Sequence, residues 1–144
     1  MDKLIIFTDG ASRGNPGKAS IGVIFCDKEG KILKEYGQTI GEATNNEAEY
    51  QAVIFALKKA KALFGKEKIK KCSVEIRSDS QLLVSQLSGE YKILEPRIQS
   101  FFIQVWNLKI DTGGVEFVLM PREENRQADR LANIALDKEI KTLF

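Results

Sequence analysis

The chain has 144 residues, 43% of them hydrophobic and 29% charged, a composition typical of one folded domain. It contains no histidine and only two cysteines, Cys26 and Cys72, which excludes a Ser-His-Asp triad, a Cys-His pair and a zinc site built on His or Cys. A net charge of +2 is too small to indicate a nucleic-acid partner by itself. The chemistry must come from carboxylates, hydroxyls, amides, lysine or arginine, and a carboxylate site that holds a metal ion is the leading candidate.

The hydropathy pattern indicates neither a membrane span nor a secretion signal. No apolar run approaches the roughly 18 residues that cross a bilayer. After Met1, Asp2 and Lys3 the apolar run is only four residues long, too short for a signal peptide. We therefore expect a single cytoplasmic, monomeric domain over residues 1–144, with Cys26 and Cys72 as buried free thiols.

The first half of the chain predicts three antiparallel strands and a long helix. Apolar runs at residues 4–8, 21–26 and 32–40 are typical of strands, with turn signals at residues 14–17 and 27–30 between them. The spacing of Thr44 and Glu47 is that of a capping box, so a helix is expected to begin there. Apolar residues at helical spacing continue to Phe64, and Gly65 ends the helix.

The second half predicts two further strands and three helices. We expect strands at residues 74–78 and 115–120, a short helix capped by Ser80, a helix beginning at Pro96 and a last helix beginning near Asn125. Phe101 and Trp106 lie at core-like helical spacing and are assigned to packing. The order β-β-β-α-β-α-α-β-α predicts an α/β fold with a five-stranded mixed sheet, three antiparallel strands followed by parallel strands, and helices on both faces.

Four carboxylates occupy equivalent places in this predicted fold. Asp9 and Asp79 end the first and fourth strands, while Glu49 and Asp129 lie in the first turns of the first and last helices. Each has an ordinary structural explanation, because Asp is common in turns and acids in a first helical turn complement the helix dipole. These four places nevertheless converge at one edge of an α/β sheet. Four carboxylates there would repel one another, and an all-oxygen set favours a hard cation, Mg²⁺ or Mn²⁺.

The segments around these acids resemble the motifs of type 1 ribonucleases H, in the family's order and over nearly the whole chain. They are residues 7–17 (FTDGASRGNPG), 44–49 (TNNEAE), 78–81 (SDSQ) and 125–129 (NRQAD). The resemblance implies the ribonuclease H fold and an endonuclease that hydrolyses the RNA strand of RNA–DNA hybrids, leaving 5′-phosphate and 3′-hydroxyl ends. It also implies two divalent ions per active site. Asp9 would contact both ions, Glu49 and Asp79 would complete the leaving-group site, and Asp129 would complete the site of the attacking water.

The same resemblance implies substrate contacts beside the acids. Recognition of a hybrid requires contacts to 2′-hydroxyls, and side-chain amides suit this task because they both donate and accept hydrogen bonds. Asn15 is also a natural turn residue, and Thr44 is already explained as a helix cap. The matching residues are Gly10, Asn15, Thr44, Asn45, Asn46 and Gln81.

The chain departs from the family's pattern in two places. Many members carry a histidine on the loop before the last acid, whereas this chain has none and Arg122 is the nearest cationic residue. Arg122 is a candidate catalytic residue that would attract the scissile phosphate or help to expel a metal ion, with pairing to Glu123 or Glu124 as the alternative. The segment after the third motif is short and scarcely basic, so the chain resembles the compact form of the family without a basic protrusion.

The segment from Lys58 to Lys71 contains seven lysines and one glutamate, a local charge of +6 that leaves −4 for the rest of the chain. Lys61 lies twelve residues after Glu49 in the same predicted helix, which corresponds to about 18 Å. We interpret the lysines as a solvated surface and not as a phosphate-binding site.

Three alternative functions stay open at this point. A broader nuclease on the same scaffold would cleave duplex RNA or branched DNA. A catalytically silent module would bind hybrids without cutting them, although the presence of all four acids argues against it. A domain taken from a reverse transcriptase is the third alternative.

Overall fold

A computed structural model describes residues 1–143 of the chain, with side chains described for residues 1–140. Over these residues the strands are β1 (Lys3–Arg13), β2 (Gly17–Cys26), β3 (Ile32–Ala43), β4 (Ser73–Ser78) and β5 (Val115–Leu119). The helices are α1 (Asn45–Phe64), α2 (Lys66–Lys70), α3 (Gln81–Leu87), α4 (Pro96–Ile110) and α5 (Arg126–Leu143), with a 3₁₀ turn at Arg122–Glu124.

The strands form one five-stranded sheet in the order β3-β2-β1-β4-β5. Strands β1, β2 and β3 pair antiparallel, while β4 pairs parallel with both β1 and β5. This arrangement confirms the mixed sheet that the order of predicted elements indicated. It also directs the carboxyl ends of β1 and β4 to the same edge of the sheet.

Strand β1 is longer than its apolar run predicts. Its parallel ladder with β4 ends at Phe7, but its antiparallel ladder with β2 continues to Arg13, which pairs with Lys18. Hydrophobic periodicity does not predict this extension, because it lacks the apolar residues of the first half of the strand. The prediction that Asp9 ends the first strand is therefore wrong for the ladder with β2, which continues past it. It holds for the ladder with β4, which ends two residues before Asp9.

Alternate residues of the sheet pack against helices on opposite faces. Leu4 and Ile6 of β1 belong to the large core that includes α1, whereas Ile5 joins a smaller cluster with Ala128 of α5. Helix α5 buries one face against the sheet, where Ala132 and Leu136 are fully buried. Helices α1 and α5 therefore lie on either side of β1, and each begins near its polar end.

Two features differ from the predicted pattern. The short helix α2 was not expected, because it is rich in lysine and buries only Ile69. The assignment of Trp106 to the core is wrong: the ring is 50% exposed and the Lys109 ammonium lies over it, 5.4 Å from its centroid. Among the described residues, every helix falls short of the length and apolar character that a membrane crossing requires.

Candidate active site

A cleft of about 630 Å³ opens at the sheet edge where β1 and β4 end. Its walls come from β1, the start of α1, the residues that follow β4, the 3₁₀ turn and the start of α5. All four acids that the sequence singled out line this cleft, which are Asp9, Glu49, Asp79 and Asp129.

Three of the four acids form a tight cluster. Asp9, Glu49 and Asp79 each offer a carboxylate oxygen, and these oxygens all lie within 4.8 Å of one another. Asp9 is 5% exposed and Glu49 is 8% exposed, so both carboxylates are largely removed from water. Such burial is costly for a charged group unless a compensating charge is bound.

The start of α1 is fixed against β1 by Gly10. The Gly10 N–H donates to Glu49 Oε1 at 3.1 Å. A Cβ atom at Gly10 would collide with the backbone of Ala48 and Glu49, so the absence of a side chain allows α1 to come this close. The capping box is confirmed as well, because Thr44 Oγ1 accepts from the Glu47 N–H and Glu47 Oε1 accepts from the Thr44 N–H. These contacts place Glu49 beside Asp9.

Asp129 reaches the cluster from the opposite face of the sheet. Gly22 pairs with Asp9 across β1 and β2, and a Cβ there would overlap the Ala128 carbonyl of α5. Helix α5 therefore lies directly on β2, and Asp129 lies close enough to Asp9 to raise the pKa of the Asp9 carboxyl. Unlike the other three acids, Asp129 is largely exposed to solvent and lies outside the tight cluster.

One amide contact to the acids was not foreseen from the sequence. Asn125 Nδ2 donates to Asp79 Oδ2 at 3.2 Å and to the Thr8 carbonyl at 2.9 Å. The signal was present, because Asn125 lies four residues before Asp129 within one of the four motifs and so one helical turn away from it.

Burial and neighbouring carboxylates raise the pKa of Asp9 and of Glu49. Burial, and then the charges of Glu49, Asp79 and Asp129, raise the pKa of Asp9 from 3.8 to about 10. Burial also raises the pKa of Glu49 from 4.5 to about 8, while the Gly10 N–H and the Arg122 guanidinium act in the opposite direction. Without a cation, the cluster therefore holds protons at neutral pH that ordinary carboxyl groups would have released.

The donor set fits a hard divalent cation. Every candidate ligand is a carboxylate oxygen, and Glu49 Oε2 is buried without a hydrogen-bond partner. A buried oxygen without a partner, placed beside two other carboxylates, is what a bound cation would compensate. Asp9, Glu49 and Asp79 are thus the residues that would hold it.

Asn15 and Asn45 both line the cleft, and the Asn15 side chain is hydrogen-bonded to the Asn45 backbone. Asn15 Oδ1 accepts from the Asn45 N–H at 2.9 Å, and Asn45 Oδ1 accepts from the Ser12 N–H at 3.0 Å. Both bonds use the carbonyl oxygens, so the amide N–H groups are the part of these side chains that a ligand can meet. Ser12 also donates its hydroxyl to the Ala43 carbonyl at 2.6 Å, and the sequence did not single it out.

The other predicted substrate residues are divided between the cleft and its surroundings. Gly10, Thr44 and Asn46 line the cleft, and Asn46 Oδ1 is buried without a partner. Gln81 is not among the lining residues; it is exposed at the start of α3, and its amide donates to the Tyr91 hydroxyl at 3.4 Å. Ser80, Leu82 and Glu95 line the cleft and were not predicted to do so.

Comparison with known proteins agrees with this geometry. A family model described as reverse transcriptase-like matches residues 7–135, a segment that contains all four acids. The crystal structure of LC11-RNase H1 in complex with an RNA/DNA hybrid superposes with a TM-score of 0.90 at 43% identity, covering 95% of this chain and 99% of that chain. The chain belongs to the ribonuclease H1 family.

Two further relatives of this ribonuclease H1 chain differ in length. Ribonuclease HI of Halobacterium salinarum is 43% identical over 131 residues, which are 91% of this chain and 63% of the relative. The N-terminal RNase H domain of a Mycobacterium tuberculosis protein, solved as a fusion with maltose binding protein, is 34% identical with a TM-score of 0.88, covering 100% of both chains. The chain thus spans less than two thirds of the length of the Halobacterium relative.

Arg122 supplies the cationic group of this ribonuclease H1 cleft. It lies in the 3₁₀ turn, is exposed, and is close enough to Glu49 to lower the pKa of that carboxyl. The ion pairs formed within residues 1–140 do not join it to Glu123 or Glu124. Arg122 is thus the cationic side chain among the residues that line the cleft.

Proposed function

We propose that this chain hydrolyses the RNA strand of RNA–DNA hybrids, using two divalent cations, Mg²⁺ or Mn²⁺, held by its four acids. The observation that carries the proposal is the tight cluster of Asp9, Glu49 and Asp79 in a cleft lined by amide side chains. A relative that covers the same length, LC11-RNase H1, was crystallised with an RNA/DNA hybrid, which supports the choice of substrate.

The four acids would divide between two cations. Asp9, Glu49 and Asp79 would hold one cation, and Asp129 together with Asp9 would hold a second at the more exposed side of the cluster. When bound, divalent cations lower the pKa of a water molecule and stabilise negative charge on the departing oxygen. Water then attacks phosphorus and the bond to the 3′-oxygen breaks, which leaves a 5′-phosphate and a 3′-hydroxyl.

Recognition of the RNA strand would come from the amides at the rim. The N–H groups of Asn15 and Asn45 and the unpartnered Oδ1 of Asn46 offer both donors and acceptors to ribose 2′-hydroxyls. The Thr44 hydroxyl accepts from Glu47, so its hydrogen is available for a phosphate oxygen of the DNA strand. We propose these contacts together with Gly10, which lines the cleft, and Gln81, which lies in the chain between the lining residues Ser80 and Leu82.

The test is cleavage of three labelled duplexes, RNA–DNA, RNA–RNA and DNA–DNA, with Mg²⁺, with Mn²⁺ and with EDTA. The proposal expects cleavage of the RNA strand of the hybrid alone, in either metal, and none in EDTA. Comparable cleavage of duplex RNA would indicate a broader nuclease. Tight hybrid binding without cleavage in any metal would indicate a binding module.

A further inference from the structure

Asn125 lies where three acid-bearing elements meet. It is 1% exposed and directly precedes α5, at the sheet edge where β1 and β4 end.

Asn125 forms hydrogen bonds with Asp79, with Asp129 and with the residue that precedes Asp9. Its Nδ2 donates to Asp79 Oδ2 at 3.2 Å and to the carbonyl of Thr8, the residue before Asp9, at 2.9 Å. Its own carbonyl accepts from the Asp129 N–H at 3.2 Å. One buried residue thus connects the ends of β1 and β4 with the first turn of α5.

The chemistry of the amide suits this place. A single NH₂ group supplies both donors, one for a backbone carbonyl and one for a carboxylate. A carboxylate in its place would offer neither donor and would repel Asp79. An aliphatic side chain would remove the hydrogen bond to the Thr8 carbonyl, and Thr8 is fully buried.

The side-chain oxygen of Asn125 indicates that a contribution to stability does not by itself explain why asparagine occupies this position. Asn125 Oδ1 is buried with no hydrogen-bond partner, and an unsatisfied buried acceptor destabilises the folded state. A side chain retained for packing would avoid this cost. The two donors are therefore the useful part of Asn125.

Two of the other acids have supporting donors of their own. Glu49 is held by the Gly10 N–H, and Asp129 accepts from Asn133 Nδ2 at 3.2 Å in an exposed setting. Among the hydrogen bonds of the described residues, Asn125 is the donor to the Asp79 carboxylate. Asp79 would lose this support if Asn125 were changed.

We infer that Asn125 is a positioning residue, which fixes Asp79 and the first turn of α5 relative to Asp9 and thereby sets the affinity of the acid cluster for divalent cations. The inference rests on the proposed function only in taking the cluster to be a cation site. Removing an outer residue that orients a metal ligand typically weakens metal affinity by about 10- to 100-fold.

The test is calorimetric titration of Mn²⁺ into the wild-type chain, Asn125→Ala and Asn125→Leu, with folding checked by circular dichroism. We expect both variants to bind Mn²⁺ about 10- to 100-fold more weakly. Gln127→Ala is the matched control, because Gln127 is an exposed amide two residues away that bonds Glu35 across the surface; it should bind like wild type. A folded Asn125 variant with wild-type Mn²⁺ affinity would overturn the inference, even if its melting temperature fell.

A measurement on the wild-type chain covers the case in which the variants do not fold. The side-chain ¹⁵N–¹H₂ signals of Asn125 should shift during Mg²⁺ titration with the same dissociation constant as the Asp79 backbone amide. Unchanged Asn125 signals at Mg²⁺ saturation would overturn the inference. Hybrid cleavage by the wild-type chain is measured alongside, and its failure would instead remove the proposed function.

Discussion

The two ends of helix α1 hold charges in opposite settings. At its start, Glu49 is buried beside Asp9 and Asp79, and one of its oxygens has no partner. Near its end, Lys61 is paired with Asp111 at 3.0 Å, both only partly buried, and the lysines of α2 are exposed. Buried like charges destabilise a fold unless a ligand compensates them, whereas solvated or paired charges cost little. The difference favours a cation-binding site at the start of α1 and a solvated surface at its lysine-rich end.

The largest effect is expected from Asp9→Asn, which keeps the shape of the side chain and removes a charge from the cluster. Loss of cation binding withdraws several kcal/mol of transition-state stabilisation, so hybrid cleavage should fall by about 10³-fold or more. Single-turnover cleavage of labelled hybrid measures this. Asp111→Asn, at the lysine-rich end, is the control and should stay within about twofold of wild type. Full activity of Asp9→Asn would show that the acidic end takes no part in the reaction.

The second effect concerns Arg122, the cation at the acidic end. Arg122→Ala should lower kcat on the order of 10²-fold and change KM much less, because the guanidinium would act on charge that develops at the scissile phosphate. Arg122→Lys should retain most of the activity, since it keeps the charge. Steady-state kinetics with the hybrid measure both variants, and equal kcat for wild type and Arg122→Ala would leave Arg122 as a surface residue.

The third effect concerns stability without divalent cations. Because the pKa of Asp9 is raised from 3.8 to about 10 in the fold, the folded state binds a proton that the unfolded chain releases above about pH 4. This contribution to stability is complete below about pH 4 and is lost as the pH rises towards 10. In EDTA near pH 8, Asp9→Asn should therefore melt higher than wild type, on the order of 5 °C.

Scanning calorimetry at two pH values checks this sign. The difference between Asp9→Asn and wild type should shrink near pH 5, and Mg²⁺ near pH 8 should stabilise wild type more than the variant. A variant that melts below wild type at both pH values would contradict the claim that burial and the neighbouring carboxylates raise the pKa of Asp9.

The smallest effect is expected at the lysine-rich end. Reversing the charge of two exposed lysines, Lys66→Glu with Lys68→Glu, should change hybrid cleavage at about 0.15 M salt by less than about twofold, because screening limits exposed charges to roughly 8 Å. The unfolding free energy should change by less than about 0.5 kcal/mol per site. A large loss of hybrid affinity, measured by fluorescence anisotropy, would make this end part of the substrate surface.

The elements with clear periodicity were predictable, and those that depend on tertiary contacts were not. The buried face of α5 follows from the spacing of Ala128, Ala132 and Leu136, which are all buried. Strand β1 was cut short because its second half is polar and is held by pairing with β2. Trp106 was misplaced because helical spacing does not reveal which face of α4 has a neighbour.

The acids of the site were predictable for a topological reason, while their supports were not. Strand ends and first helical turns converge at one sheet edge whatever the side chains are, so Asp79 and Glu49 could be placed together in advance. The bond from the Asn45 N–H to Asn15 Oδ1 spans 30 residues, and the bond from Asn125 to the Thr8 carbonyl spans 117. The residue pattern within a single helix or strand cannot reveal hydrogen bonds between residues so far apart in the chain.

Gly10 and Gly22 set the spacing of the acids by backbone contact. A methyl group at either position would push α1 or α5 away from β1 and carry Glu49 or Asp129 with it. Replacing glycine by alanine is a common route to greater heat resistance, and here it would separate the groups that must stay close. A thermostable variant of this protein should therefore keep both glycines and carry its stabilising substitutions at the opposite end of the sheet.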